Sequence, residues 1–368
     1  MSKAVKHKHE PLFHITKRAD IPLSKSILIR AVAIVLSLVV CSVIIVLLTS
    51  LNPIDIFVKM FEGSFGSGRK IWILLQNIAI LLCISLAVTP AFKMKFWNLG
   101  AEGQVLIGCL ATAACMIYLG SALPPVILFP IMVVSAIIAA AIWAFIPAWF
   151  QAHYKVNESL FTLMMNYVAI QLVAFFEVVW ENPKGSTNIG IINMSGEQGW
   201  MPKIFGTRYF MNIAIVVVVT LIMYVYLKYT KQGYEITVVG ESQNTARYIG
   251  INVKKVIIRT MLISGAVCGI AGLLLVSGKD HTLSTDTVGG QGFTAIMVSW
   301  LAKFNPFVMV LTTFLIVFLQ TGSGEIATAF RLNESLADIL TGVILFFIIG
   351  CEFFINYKLN FRRKQKEA

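Results

Sequence analysis

The chain has 368 residues, of which 57% are hydrophobic and 13% charged, with a formal net charge of +12. A soluble globular chain carries about 25% charge, so a mean hydropathy of +0.80 excludes an ordinary water-soluble domain and makes lipid the solvent for most of the sequence. No polar stretch is long enough to fold as a separate soluble domain, so any such domain is expected on another chain.

In chain order, a basic tail over 1–26 precedes an apolar run at 27–50. That run is too long for a signal h-region and reads as a spanning helix that stays. Since about 20 apolar residues cross a bilayer, further spans are expected near 71–91, 99–119, 126–147, 159–180, 210–228, 259–277, 288–302, 307–323 and 337–355. The eighth of these ten, at 288–302, is short and Gly-rich, the pattern of a broken or re-entrant segment. Residues 53–62, PIDIFVKMFE, place apolar residues at helical spacing and are expected on the membrane surface. The fold class is therefore an all-α integral membrane protein of about ten transmembrane helices. One transmembrane domain, 27–355, lies between the basic tails 1–26 and 356–368, with larger loops at 181–209 and 229–258.

Of the 30 Lys and Arg, all but Lys59, Arg69, Lys70, Lys184, Lys203, Arg208, Lys279 and Arg331 fall on inner segments if the N-terminus is inside. This positive-inside bias puts both termini and loop 229–258 in the cytoplasm and loop 181–209 outside. It accounts for the net charge without nucleic acid. The six cysteines all fall in expected spans and form no CxxC pair, so they read as small packing residues. Asp280, His281 and Asp286, just beyond the seventh span, and His7, His9 and His14 on the N-terminal tail read as solvated residues rather than a metal site.

VNESLFTLMMNYVAI from Val156 is echoed by LNESLADILTGVILF from Leu332, and Gly103-Gln104 more loosely by Gly290-Gln291. The matched spans are an odd number apart, so the halves would have opposite orientation, as in transporters built from inverted repeats of five helices around a midplane path. Chance similarity is the other reading.

Polar residues inside the spans carry the rest. Lys95-Phe-Trp-Asn-Leu-Gly-Ala-Glu-Gly-Gln104 joins the second span to the third. Asn98, Glu102 and Gln104 would be intolerable in hydrocarbon if unpaired. They either line a path at a helix break or cap a helix at the membrane surface, with Asn98 as the cap and Glu102 in the first turn. Asn77, Asn166, Gln291 and Phe293 join them as candidate path residues. Amides in such spans also serve to hold helices together. Gly265 and Gly269 form a GxxxG with Gly272 beyond it, a close-packing face. In the inner loop, residues 240–250 fit a short helix bounded by Gly240 and Gly250, capped by Ser242, with Ala246, Arg247 and Tyr248 on its body. It is either an ordinary surface helix or a docking knob, since Arg and Tyr are favoured at interaction hot spots.

FWNLGAEGQVLIG (96–108), VNESLFTLMMNYVAI (156–170), the loop-and-helix block 238–272 and GGQGFTAIMVSWLAKFNPF (289–307) resemble permease subunits of the ABC importers for simple sugars, branched-chain amino acids and nucleosides, and are most similar to the nucleoside branch. The resemblance implies a multi-pass subunit of the bacterial cytoplasmic membrane that moves a nucleoside, or a simple sugar, inward. It implies a coupling helix at 240–250 with Glu241, Asn244, Ala246, Arg247 and Gly250 at its motif positions, and Tyr248 beside them. It also implies an ABC ATPase that uses ATP and Mg, a second paralogous permease chain and a substrate-binding lipoprotein, with no cofactor bound by this chain. Ser299-Trp300 departs from the small aliphatics more usual in the group. An ion- or proton-coupled carrier using Glu102, Glu177 or Asp338 is the alternative. A channel, which would conduct without ATP or a coupling ion, is a further reading, and a membrane enzyme would need a clustered catalytic set, which is not found.

Overall fold

The computed structural model describes residues 13–18, 22–49, 51–204, 206–331 and 334–361. Its elements are β1 (Phe13–Lys17), α1 (Leu23–Thr49), α2 (Pro53–Phe65), α3 (Gly68–Lys93), α4 (Ala101–Leu119), α5 (Pro125–Tyr154), α6 (Glu158–Val179), α7 (Phe210–Tyr229), α8 (Lys231–Glu241), α9 (Gln243–Tyr248), α10 (Val253–Leu275), α11 (Gln291–Leu301), α12 (Pro306–Phe330), α13 (Glu334–Asn356) and β2 (Tyr357–Phe361). A π-helical turn, Val276–Asp280, extends α10.

Among the described residues, eight helices are long and apolar enough to cross a membrane: α1, α3 to α7, α10 and α12. Two of the expected ten, at 288–302 and 337–355, are not among these eight. The eleven residues of α11 rise only about 16 Å, roughly half a bilayer core. Helix α13 is 23 residues long, and Ile339–Ile355 is its apolar stretch among the described residues. Asn252 starts α10 before the expected residue 259, its side chain accepting the Lys255 N–H, and α5 runs on past 147 to Tyr154.

The chain divides into two compact units. The larger, Phe65–Phe318, is organised around α10, which packs on α5, α4 and α3. Its small residues permit this. A Cβ on Gly265 would meet the Ala140 carbonyl at 2.5 Å, one on Gly269 would strike the Ala136 carbonyl, and one on Gly272 would meet the Cys109 nitrogen at 2.6 Å. Facing Gly265 and Gly269 on α5, Ala136, Ala140 and Ala144 recur every fourth residue and are fully buried, while Gly272 faces α4. Matched small residues let two backbones approach closely where hydrocarbon supplies no hydrophobic drive between helices.

The other unit comprises Met1–Ser64 and Leu319–Ala368. Here α1 packs along α13, with Arg30 paired to Glu352 at 2.6 Å and the Cys41 thiol pointing to the Leu340 carbonyl. The amphipathic α2 forms as expected and seats Met60 against Gly322 of α12. Within the two expected tails, Phe13–Lys17 and Tyr357–Phe361 pair as an antiparallel ribbon, Phe13 opposite Phe361. The tail residues before 13 and after 361, including His7 and His9, lie outside the described residues, as do Leu332-Asn333 of the repeat and the side chain of Asp338.

Candidate functional site

The break between α3 and α4 is built by side chains. After Lys95, which is left-handed at φ 59°, the chain runs without helix to Gly100. Asn98 and Gln104 are buried and face each other: Gln104 Nε2 donates to Asn98 Oδ1 at 3.1 Å and Asn98 Nδ2 to Gln104 Oε1 at 3.4 Å. Asn98 Oδ1 also accepts the Gly100 N–H, and its Nδ2 reaches Ser264 Oγ of α10 at 3.3 Å. From α6, Thr162 Oγ accepts the Leu99 N–H at 3.1 Å. Asn166 accepts the Gly103 N–H at 2.9 Å and donates to the Leu99 carbonyl at 2.8 Å. The N-cap of α4 is Gly100 rather than Asn98; Asn98 takes the Gly100 N–H and Asn166 of the neighbouring α6 the Gly103 N–H, so backbone groups that lipid would leave unpaired are satisfied.

A second helix start meets the first. Residues 281–290 are not helical, and Gly289 and Gly290 have φ of 58° and 75°. The Glu102 carboxylate accepts the Gly290 N–H at 2.8 Å through Oε1 and the Gly292 N–H at 2.7 Å through Oε2. A Cβ on Gly292 would lie 2.5 Å from the Glu102 nitrogen, so only glycine lets α11 abut α4 this closely. The loose echo of Gly103-Gln104 by Gly290-Gln291 corresponds to two helix N-termini face to face. Gln291 Oε1 has no donor among the described residues, and Phe293 beside it is 44% exposed. Asn77 is half-buried, its Oδ1 also without a donor there, and takes no part in this network. Further along α11, Ser299 Oγ lies 3.0 Å from Thr89 Oγ of α3, and the Trp300 ring is 5.7 Å from that of Trp97. The departure at Ser299-Trp300 is therefore matched by partners on α3 and the loop after it.

The loop after α7 holds two helices where one was expected. Gly240 does not bound a helix. It lies inside α8, which Thr230 caps by accepting the Gly233 N–H. The boundary is Ser242, extended at φ −158°, whose hydroxyl accepts the Thr245 N–H and starts α9 as expected. Gly240 is needed for contact: a Cβ there would strike the Lys93 carbonyl. Ala246 is fully buried in a cluster with Ala91, Met94, Phe96, Ala148 and Ile257, which fastens α9 to the ends of α3 and α5 and the start of α10. Arg259 of α10 and Glu235 of α8 are paired at 2.9 Å. Glu241, Asn244, Arg247 and Gly250 are exposed, and Tyr248 is 93% exposed. Beside α9 a cleft of about 780 Å³ is lined by His153, Lys155, Arg247 and Lys254 among others, with no acidic residue.

At the far end of α10, the loop 181–209 is pinned to the π-helical turn. Met201 N–H donates to the Ser277 carbonyl at 2.9 Å and Ser277 Oγ to the Gly199 carbonyl at 2.6 Å. The His281 ring stacks on Trp200 at 3.8 Å, with the Arg208 guanidinium 5.3 Å from the Trp200 ring centre. Burial foremost, then the Arg208 charge, holds His281 below the ordinary imidazole range, while hydrogen bonding and charge from Lys203 hold Glu197 below the usual carboxylate range.

Residues 71–349 match the family described as branched-chain amino acid transport system / permease component. The chain belongs to this family. It is 27% identical to the glucose ABC transporter permease protein TsgB13 of Haloferax volcanii, over 87% of this chain and 87% of that one. It is 27% identical to the guanosine ABC transporter permease protein NupP of Bacillus subtilis, over 88% and 92%. The nucleoside ABC transporter permease protein NupB of Lactococcus lactis is 25% identical over 88% and 91%. The protein is accordingly a multi-pass permease subunit of an ABC transport system. Thr162 and Ser264 help hold the permease's central network together yet gave no signal as site residues. A serine or threonine in an apolar run reads as a small packing residue until its partner is seen.

Proposed function

We propose that this permease forms the inward path for a nucleoside, and with less support a simple sugar, across the cytoplasmic membrane together with a second, related permease chain. In this reading α9 is the coupling helix, docked by an ABC ATPase through Arg247, Tyr248, Asn244 and Glu241. A substrate-binding lipoprotein delivers solute to the opposite face. The ATPase uses ATP and Mg, and this chain does no covalent chemistry and binds no cofactor.

The observation that carries the reading is the seat of α9. Its buried Ala246 shares a core with Met94 and Phe96, two residues before Asn98 and the paired starts of α4 and α11. A push on α9 is passed by close-packed contacts to a region where polar side chains and broken helices meet, the kind of element a partner biases through differential affinity. Asn98, Glu102, Gln104 and Asn166 hold this region in register. Gln291, Phe293 and Asn77 supply the groups left for solute. The names of the relatives, two for nucleosides and one for glucose, support the substrate class.

The test is a mild-detergent pull-down of the tagged chain from its host, with mass spectrometry. Recovery of an ABC ATPase and a second permease is expected. Recovery of this chain alone, still transporting in ATP-free liposomes, would sink the reading and favour an ion-coupled carrier.

A further inference from the structure

The starts of α4 and α11 are unlike a vacant ligand site. A helix N-terminus inside a membrane is an anion-binding element, because its free N–H groups and dipole favour negative charge, and transporters with broken helices aim such ends at anionic groups of their substrates. Here every N–H of the first turn of α11 already has an acceptor. Gln291 donates to Val288, while Phe293 and Thr294 donate to Gly290. The Gly290 and Gly292 N–H groups are taken by the carboxylate of Glu102, at 2.8 and 2.7 Å. Glu102 is buried, and its reach is fixed because Gly292 lies against its backbone nitrogen. At the neighbouring α4 end, Gly100 and Gly103 are met by the neutral amides of Asn98 and Asn166.

We infer that Glu102 is a specificity-determining residue of the path: its carboxylate is a built-in anion that occupies the α11 half-helix end, so that the path takes polar solutes carrying no anionic group. A solute carboxylate or phosphate brought here meets a negative charge and no free backbone donor. A hydroxyl-bearing ring needs no counter-charge here, and beside this helix end lie Phe293, 44% exposed, and Gln291, whose Oε1 has no donor among the described residues. Glu102 acts as a positioning group as well, since the same two bonds hold α11 to α4. This inference rests on reading the region as the transport path, and its main test is read without transport, so the two can fail separately.

The experiment uses the purified full-length chain in detergent, with acetate as the probe. Glu102→Ala removes a group of the size and charge of acetate. Its melting temperature is expected to fall below wild type and to recover saturably with acetate, by about 3 °C or more at tens of millimolar. Sodium chloride at equal ionic strength should not restore it, and wild type should not respond to acetate or inorganic phosphate. Failure of acetate to move the variant, or an equal response of wild type, overturns the inference. Should Glu102→Ala not fold, the unmutated transporter decides. A substrate analogue with a carboxylate in place of one hydroxyl is expected to compete for uptake at least about tenfold more weakly than its neutral parent, a difference of about 1.4 kcal/mol, and equal competition overturns the inference.

Discussion

Gly240 of α8 lies against the backbone of Lys93 at the end of α3, so closely that a Cβ would strike the Lys93 carbonyl. A backbone oxygen cannot swing aside as a flexible side chain could. Gly240→Ala is therefore expected to tilt α8 off α3, at a cost of about 1–3 kcal/mol in local packing. Helices α8 and α9 should loosen while the spans stay inserted. Proteolysis of the 229–258 loop together with solute uptake checks this: faster nicking and reduced uptake at wild-type membrane levels are expected, and unchanged nicking would show that the contact relaxes freely.

The α5–α10 seam makes a second prediction. Gly269 faces the Ala136 carbonyl and Gly265 the Ala140 carbonyl and Ala144 Cβ. A valine at 269 forces apart backbones that are held by close contact. The melting temperature of the purified chain is expected to drop by several degrees, matching overpacking of about 1–3 kcal/mol or more. Gly342→Ala is the control, because open space surrounds that position. It should be neutral or stabilising by a few tenths of a kcal/mol through helix propensity.

The spans were legible because hydropathy sums over residues one at a time. The Ser242 cap was legible because a cap bonds to residues a few positions away. The Glu102 bonds to Gly290 and Gly292 were not, because they join residues 188 and 190 positions apart. In the sequence, Glu102 reads equally as a path residue or as a first-turn acid of its own helix. Gly240 was misread as a boundary for a related reason: glycine punctuates turns and also permits close approach, and only the presence of Lys93 decides which. Thr162 escaped notice because its hydroxyl bonds its own helix at Glu158, as such residues commonly do, while also receiving Leu99.

The stack of His281 on Trp200 gives a pH prediction. Burial and Arg208 depress the His281 pKa, so the folded chain binds fewer protons than the unfolded chain between the folded value and about 6.5. Stability rises with pH across that window. The contribution is complete above about 6.5 and is lost as pH falls through the folded value. Glu197, also depressed, loses its contribution only at lower pH, in the carboxylate range. Protease cleavage within 181–209 should accelerate between pH 7 and pH 5, and His281→Phe, which keeps a ring against Trp200, should flatten that dependence. A variant with the wild-type profile would assign the pH response to other groups.

Arg247 and Tyr248 project from α9 while Ala246, next to them, is buried. On the proposed coupling role of α9, the arrangement separates docking from folding within one short helix. Among the described residues the Arg247 side chain bonds to Asn244 Oδ1 at a long 3.4 Å, so reversing its charge disturbs little inside the chain. It does change the sign presented beside a cleft whose other charged groups are basic, and charge at an interface governs encounter and partner choice. Arg247→Glu is expected to reach the membrane and melt as wild type, while the ATPase recovered with it falls by about tenfold, the loss of roughly 1.4 kcal/mol at an interface hot spot. Tyr248→Ala should act in the same direction. Ala246→Leu should do the opposite in kind, lowering the melting temperature because a larger side chain has no room among Met94, Phe96 and Ile257. Wild-type recovery of ATPase with Arg247→Glu would show that α9 is an ordinary surface helix and that docking lies elsewhere.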